Sequence, residues 1–425
     1  MLHRLGAARR KNSLVNTSTV GPATVVGLMS DIAAVGNDPT RGGYSRPIYS
    51  AADMELREWF ISEAQRRSLD VETDRNGIIW AWWNPAGLPL CDAVATGSHL
   101  DSVPGGGAYD GPLGVATALI AIDLLRARGF VPRRPVVLAV FPEEEGSRYG
   151  LACLGSQLLT GDVDPDRVRG LVDSDGVTYA ELAIANGHDP RHIGPDPERL
   201  AGIGVFVELH VEQGRGLTDL GRPVAIGSSI IGHGRWRLSF NGQGNHAGTT
   251  LMTDRRDPMI AAAQTVLDVR RLAGNHRDAR ATVGKLDPIP GGTNVIASRV
   301  DVWLDVRHDS DAVVAAIVSD IADAAHRSGA DEGCDVTLTE ASISPTVSFD
   351  PILRDRISRV LPDAPILATG AGHDAGVLAA YLPTAMLFVR NPTGISHAPQ
   401  EYVEDVDAEA GAVALADVLQ DLSNR

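Results

Sequence analysis

The segment Pro135 to Phe141, PVVLAVF, is wholly apolar, and after one proline it runs into three glutamates, Glu143 to Glu145. An apolar run without alternation reads as a strand buried on both faces, as in a parallel sheet covered by helices. Negative charge at the rim of such a strand costs free energy unless it is paired or bound to a cation. Three further strand-like stretches lead into ligand-type residues in the same way. Ala93 to Thr96 precedes His99, Val205 to Leu209 ends on His210, and Thr384 to Val389 is followed by a loop carrying His397. Open α/β sheets place their ligand sites beyond the carboxyl ends of strands. Four stations in that register point to one site.

The N-terminal half alternates such strands with helical stretches, which predicts an α/β sheet with helices on both faces. Pro112 to Arg128 reads as a helix with proline in its first turn and Gly129 closing it, so Asp110 lies just before a helix. Between about Leu217 and Ala341 the pattern changes. Strands are expected over Arg235 to Asn241, Ala281 to Leu286, Arg299 to Arg307 and Asp335 to Glu340, with helices over Asp257 to Leu272 and Asp311 to Arg327. That order predicts a small antiparallel sheet with two helices on one face, a ferredoxin-like α+β unit. Because His397 lies beyond it, the unit reads as an insertion. The expected division is 1–216 and 342–425 for the catalytic domain and 217–341 for the insert.

A chain of 425 residues exceeds one ordinary core and fits two domains. Its net charge of −16 argues against nucleic acid or an anionic membrane as the main partner. Cys91, Cys153 and Cys334 are widely spaced without a CxxC pair, so no disulfide framework or thiolate metal site is implied. The basic residues His3, Arg4, Arg9, Arg10 and Lys11 precede no apolar core, so the N-terminus does not read as a secretory signal. No apolar stretch is long enough to span a bilayer. A cytoplasmic location is expected.

Two divalent ions a few ångströms apart need one short bridging carboxylate and further terminal ligands. Asp110 is the expected bridge, with His99 and His210 on one ion and Glu145 and His397 on the other. Imidazole and carboxylate without thiolate suit zinc or manganese, with cobalt or nickel possible according to supply. Asp101, two residues after His99, is expected to accept the second imidazole N–H and fix the tautomer. Glu144 should point away from Glu145 on an extended segment, which makes it a base rather than a ligand. Taken singly, His99 would pass as a loop histidine and the glutamates as a solvated patch. Pro104 to Gly107 lacks the Gly-Lys-Ser/Thr ending of a phosphate loop. His188, His192, His276 and His326 read as surface residues.

The segments GSHLDSVPGGGAYDGPLGV, EEEGSRY, ELHVEQG, NHAGTT, NVI, DVRH, GAGHDA and GISHAP occur in this order from Gly97 to Pro399. In them the chain closely resembles the N-carbamoyl-L-amino-acid hydrolase and allantoate amidohydrolase family, within the wider group of two-metal aminoacylases and carboxypeptidases. The resemblance implies a mixed-sheet exopeptidase-like catalytic domain, two metal ions per subunit on the five ligands above, and Glu144 as general base and then acid. It implies that the insert forms a homodimer interface and that His246 reaches the neighbouring subunit's site to stabilise an oxyanion. Asn294 and Arg307 would hold the substrate carboxylate, while Gln213, Gly372 and His373 would contact substrate. Without the resemblance, Arg307 would be read as pairing with Asp305 or Asp309 and His246 as merely exposed. Leu251, Ala297-Ser298, Arg215 and His233 depart from the common pattern, and these bear on the substrate more than on the reaction. The expected activity is hydrolysis of a ureido or carbamoyl C–N bond in a small carboxylate-bearing compound. Allantoate, and with it purine catabolism, is the first choice and an N-carbamoyl-L-amino acid the second. Dipeptide or acyl-amino-acid hydrolysis, and a non-catalytic binding protein on the same fold, are the other readings.

Overall fold

A computed structural model describes residues 23–424. The basic N-terminal segment from His3 to Lys11 lies outside the described residues. Four strands stand side by side and parallel at the centre of a nine-stranded sheet. They are Val136–Phe141, Ala93–His99, Ile203–Val211 and Thr384–Val389. These are the strands that carry the ligand stations, so their carboxyl ends share one edge. Antiparallel strands flank them, Ile79–Trp83 on one side and Val224–Ile230 on the other, and make the sheet mixed.

The period-two alternation of side chains explains why the apolar runs have no polar gaps. Leu138, Val140 and Leu209 point to one face, where they pack with Leu113 and Leu119 of the helix Pro112–Ala127 and with Leu415 and Leu419 of the helix Asp405–Ser423. Val137, Ala139, Phe141, Phe206 and Phe388 point to the other, against Leu159 and Leu378. Both faces are largely apolar, so most polar groups emerge where the strands end. No helix among the described residues is long and apolar enough to cross a membrane.

A separate four-stranded antiparallel sheet has the order Asp335–Ser344, Gly232–Asn241, Arg299–His308, Arg280–Ile289. In chain order this is 4-1-3-2, the split βαβ arrangement expected from the pattern. Trp236, Leu238, Phe240, Val302 and Leu304 form its core with Ile317 and Ile321 of the helix Asp311–Asp331. The passage into this unit comes later than Leu217. Val224–Ile230 pairs with Thr384–Val389 in the large sheet, and Leu217, Ala225 and Ile226 are fully buried there. VAIGSSI, broken by glycine and serines, carries too little strand signal to reveal this pairing.

Candidate metal centre

His99 is the last residue of its strand, and His210 the penultimate residue of the neighbouring one. Each Nδ1 sits against a carbonyl, that of Asp101 at 3.1 Å and that of Val211 at 3.0 Å. A carbonyl oxygen only accepts, so both rings carry a proton on Nδ1 and turn Nε2 toward the cluster, the atom that would meet a cation. The two Nε2 atoms are 3.4 Å apart. Asp110 Oδ1 lies 3.3 Å from that of His210 and 3.9 Å from that of His99. Asp110 Oδ2 faces the other way and lies 3.5 Å from His397 Nε2, which is 3.4 Å from Glu145 Oε2. Two groups of ligand atoms thus overlap at one residue, His99, Asp110 and His210 in the first and Asp110, Glu145 and His397 in the second. Tetrahedral ligands at zinc-like bond lengths stand about 3.4 Å apart. The donor set and its spacing fit a pair of divalent cations. Gly111 is part of this fit, since with φ at +87° a Cβ there would meet the His99 ring at 2.5 Å.

Electrostatics agree. Burial raises the Glu144 carboxyl well above its usual range, and burial together with the Asp110 charge lifts Glu145 to about 8. Burial would raise Asp110 too, but the His210 hydrogen bond and the charges of His210, His99 and His397 outweigh it and hold it low. Buried carboxylates crowded this closely call for compensating positive charge.

Glu144 and Glu145 diverge. Glu144 Oε2 approaches His99 Nε2 at 3.8 Å while Glu145 turns to His397. Asp101 departs from expectation. Its backbone carbonyl, at 3.1 Å, takes the His99 proton, while its carboxylate Oδ1 stands further from Nδ1 at 3.6 Å. The carboxylate is free to accept the backbone N–H groups of Glu144 and Glu145, each at 3.1 Å. It therefore aims the acidic turn.

Gln213 donates from Nε2 to Asp110 Oδ2 at 3.2 Å and to Ser396 Oγ at 3.0 Å. His373 is buried with neither ring nitrogen partnered, its ring 4.5 Å from that of His210, and burial drives its pKa well down. Gly372 beside it faces open space. Arg307 binds Asp305 through Nε at 2.8 Å and reaches from the small sheet to the Gly370 carbonyl with Nη1 at 2.9 Å. The pairing with Asp305 is thus present, and the second contact ties Arg307 to the His373 loop. His246 and Asn294 lie together, as Asn245–His246 pairs with Val295–Ile296 and the Asn294 carbonyl accepts from Ala247. Both are exposed, and among the described residues no hydrogen bond or ion pair links them to the ligand cluster. His188 is not simply superficial, since its ring lies 5.5 Å from that of Tyr49 and burial lowers its pKa.

Several polar neighbours were not expected. Glu208 is fully buried and accepts from Ser98 Oγ and the Ala375 amide, each at 3.0 Å. A glutamate inside the otherwise apolar run Val205 to Leu209 is a visible signal. Asp374, buried with one oxygen unpartnered, accepts from Ser156. Cys153 Sγ stands 3.5 Å from Glu144 Oε1. Glu401, four residues after His397, is buried and bound by Ser396 Oγ at 3.0 Å. A cleft of about 400 Å³ opens between the two sheets, lined by Gln213, Arg215, Ile231, Arg280, Thr369 and Gly370 among others.

Comparison with known proteins agrees with this architecture. The N-carbamoyl-L-amino acid amidohydrolase of Geobacillus stearothermophilus is 32% identical over 391 residues, 91% of this chain and 95% of that protein. The allantoate amidohydrolase of Escherichia coli (strain K12) is 31% identical over 401 residues, 92% and 96% of the two chains. The crystal structure of an amidase of the hydantoinase/carbamoylase family from Burkholderia multivorans superposes with a TM-score of 0.85 at 30% identity, covering 94% of this chain and 97% of that one. The profile of peptidase family M20/M25/M40 matches residues 95–421. With its sheet, its paired ligand groups and these relatives in view, the chain belongs to peptidase family M20/M25/M40 and is a hydrolase.

Proposed function

We propose that this hydrolase cleaves the ureido or carbamoyl C–N bond of a small carboxylate-bearing compound, allantoate first and an N-carbamoyl-L-amino acid second. The observation that carries the reading is the sharing of Asp110 between two ligand groups through different oxygens. The names of two relatives, one acting on each substrate type, support the substrate class. With allantoate as substrate, the enzyme would serve purine catabolism.

Divalent ions, zinc or manganese, on His99, Asp110, His210, Glu145 and His397 would acidify water and polarise the scissile carbonyl. Glu144, its pKa raised by burial, takes the proton of the attacking water at Oε2 and returns it to the leaving nitrogen. His246 Nδ1 accepts the Gly248 amide at 3.1 Å, so a neutral ring carries its proton on Nε2. That exposed N–H is a donor suited to an oxyanion in a second subunit, and the small unit is our choice for the homodimer interface. Asn294 and Arg307 hold the substrate carboxylate, with Asp305 orienting the guanidinium. Gln213, Gly372 and His373 contact the substrate.

The deciding experiment is metal analysis of the purified protein coupled to a substrate panel. Ammonia release from allantoate or carbamoyl amino acids supports the proposal. Amino-acid release from dipeptides or acyl amino acids alone would move the enzyme to the peptidase reading. Two bound ions with no turnover of any compound would favour a binding protein.

A further inference from the structure

His397 differs from the other ligands in how it is held. Its side chain is 50% exposed, whereas those of His99 and His210 are 1% exposed. Its backbone is left-handed, with φ at +55°, an uncommon conformation for a residue with a Cβ. Burial does not fix this ligand, so something else must.

Glu401 is placed to do so. Its side chain lies against Gly107, where an added Cβ would come within 2.3 Å of Oε1 and 2.6 Å of the Glu401 Cβ. The glycine therefore lets the His397 loop dock on the loop that leads to Asp110. From Oε2 a chain of hydrogen bonds runs inward. Ser396 Oγ donates to Glu401 at 3.0 Å, Gln213 Nε2 donates to Ser396 Oγ at 3.0 Å, and the same Nε2 donates to Asp110 Oδ2 at 3.2 Å. Direction matters here. A serine hydroxyl has one proton, and Glu401 takes it, so Ser396 offers only lone pairs to Gln213. That sets the amide with its nitrogen, not its oxygen, toward Asp110. Without Glu401, Ser396 is free to donate to Gln213 Oε1, and a flipped amide would set oxygen against the Asp110 carboxylate.

We infer that Glu401 is a positioning residue for the second cation, the one assigned to Asp110 Oδ2, Glu145 and His397, and that it acts through Ser396 and Gln213. The inference rests on the two-ion reading above. Partners of this outer kind typically contribute about 10- to 100-fold in metal affinity.

The test is calorimetric titration of the metal-stripped full chain with Co²⁺, with visible absorption recorded at each step. Wild type should bind two ions in two steps. Glu401→Ala should weaken one step about 10- to 100-fold, leave the other unchanged, and shift the spectrum of the affected ion alone. Glu401→Gln, which retains an acceptor for Ser396, should restore that step. Ser396→Ala, which leaves no cavity against Gly107, should weaken the same step. If Glu401→Ala binds both ions as wild type does, or weakens both equally, the positioning role is overturned while the metal centre stands. If wild type itself fails to bind two ions, both readings fall together.

Discussion

Glu144 and Glu145 are adjacent in the chain yet serve different atoms, because Asp101 grips both of their amides and the side chains leave the turn on opposite sides. Replacing Glu144 by Gln should preserve metal content by elemental analysis and lower kcat by about 10²–10⁴. A variant with near-normal turnover would remove Glu144 from the reaction. His246→Ala should lower kcat by about 10²–10³ with bound metal unchanged. Mixing inactive His246→Ala with inactive Glu144→Gln should restore activity, since a mixed dimer holds one site with both residues intact. No recovery after proven subunit exchange would confine His246 to its own chain. At this scale the proposed ligands stood out because His99, His210 and the Glu144-Glu145 pair come at or just past the ends of buried strands, where a polar residue needs a reason, whereas Asp110 precedes a helix and His397 lies in a loop. The carboxylate of Asp101 did not. Its partners lie 43 and 44 residues away, and only the folded turn shows that the nearby imidazole is already served by a carbonyl.

The strand Val136–Phe141 and the acidic turn behind it form a unit with opposed demands. The strand is held by its packing. Phe141 meets Trp80 and Phe206 edge-on, with ring centroids 6.2 and 5.8 Å away. Phe141→Ala should cost about 3–5 kcal/mol in denaturant unfolding. The turn opposes it at high pH. Burial, helped by neighbouring carboxylates, lifts Glu143 to about 7 and Glu145 to about 8, from 4.5 when unfolded. A raised carboxyl binds its proton more tightly in the folded state. Its contribution is therefore complete below pH 4.5 and is lost as pH rises through 7 to 8. Metal-stripped protein should show a Tm that falls across this window, and the gain in Tm on adding Zn²⁺ should grow with pH. A stripped protein that gains stability over the same range would contradict this account of the turn. Elements with a clean period were readable, including all four strands of the small sheet. Val224–Ile230 was not, and neither were the short pairings of Val347–Ser348 and Ile366–Thr369 with it, since both depend on contacts remote in the chain.

Among the described residues the two larger sheets have separate cores and a cleft between them, and Arg307 bridges the two. On the helix Pro258–Ala273 the outward face carries Ile260 and Leu267, 51% and 65% exposed, and Leu251 and Met252 near His246 are exposed as well. Apolar side chains left in water on the unit that bears His246 fit the proposed dimer. Replacing Ile260 and Leu267 by Asp should yield a monomer in sedimentation velocity that still binds two ions and loses activity as His246→Ala does. A fully active monomer would end the shared-site reading. The layout of the large sheet also has a bearing on assembly. His99 and His397 are separated by most of the polypeptide, and the strand Thr384–Val389 must slot between Ile203–Val211 and Val224–Ile230 before the last histidine arrives. Placement of that strand and completion of the proposed ligand array are therefore one event, so cation affinity should report on whether Thr384–Val389 is seated in the sheet.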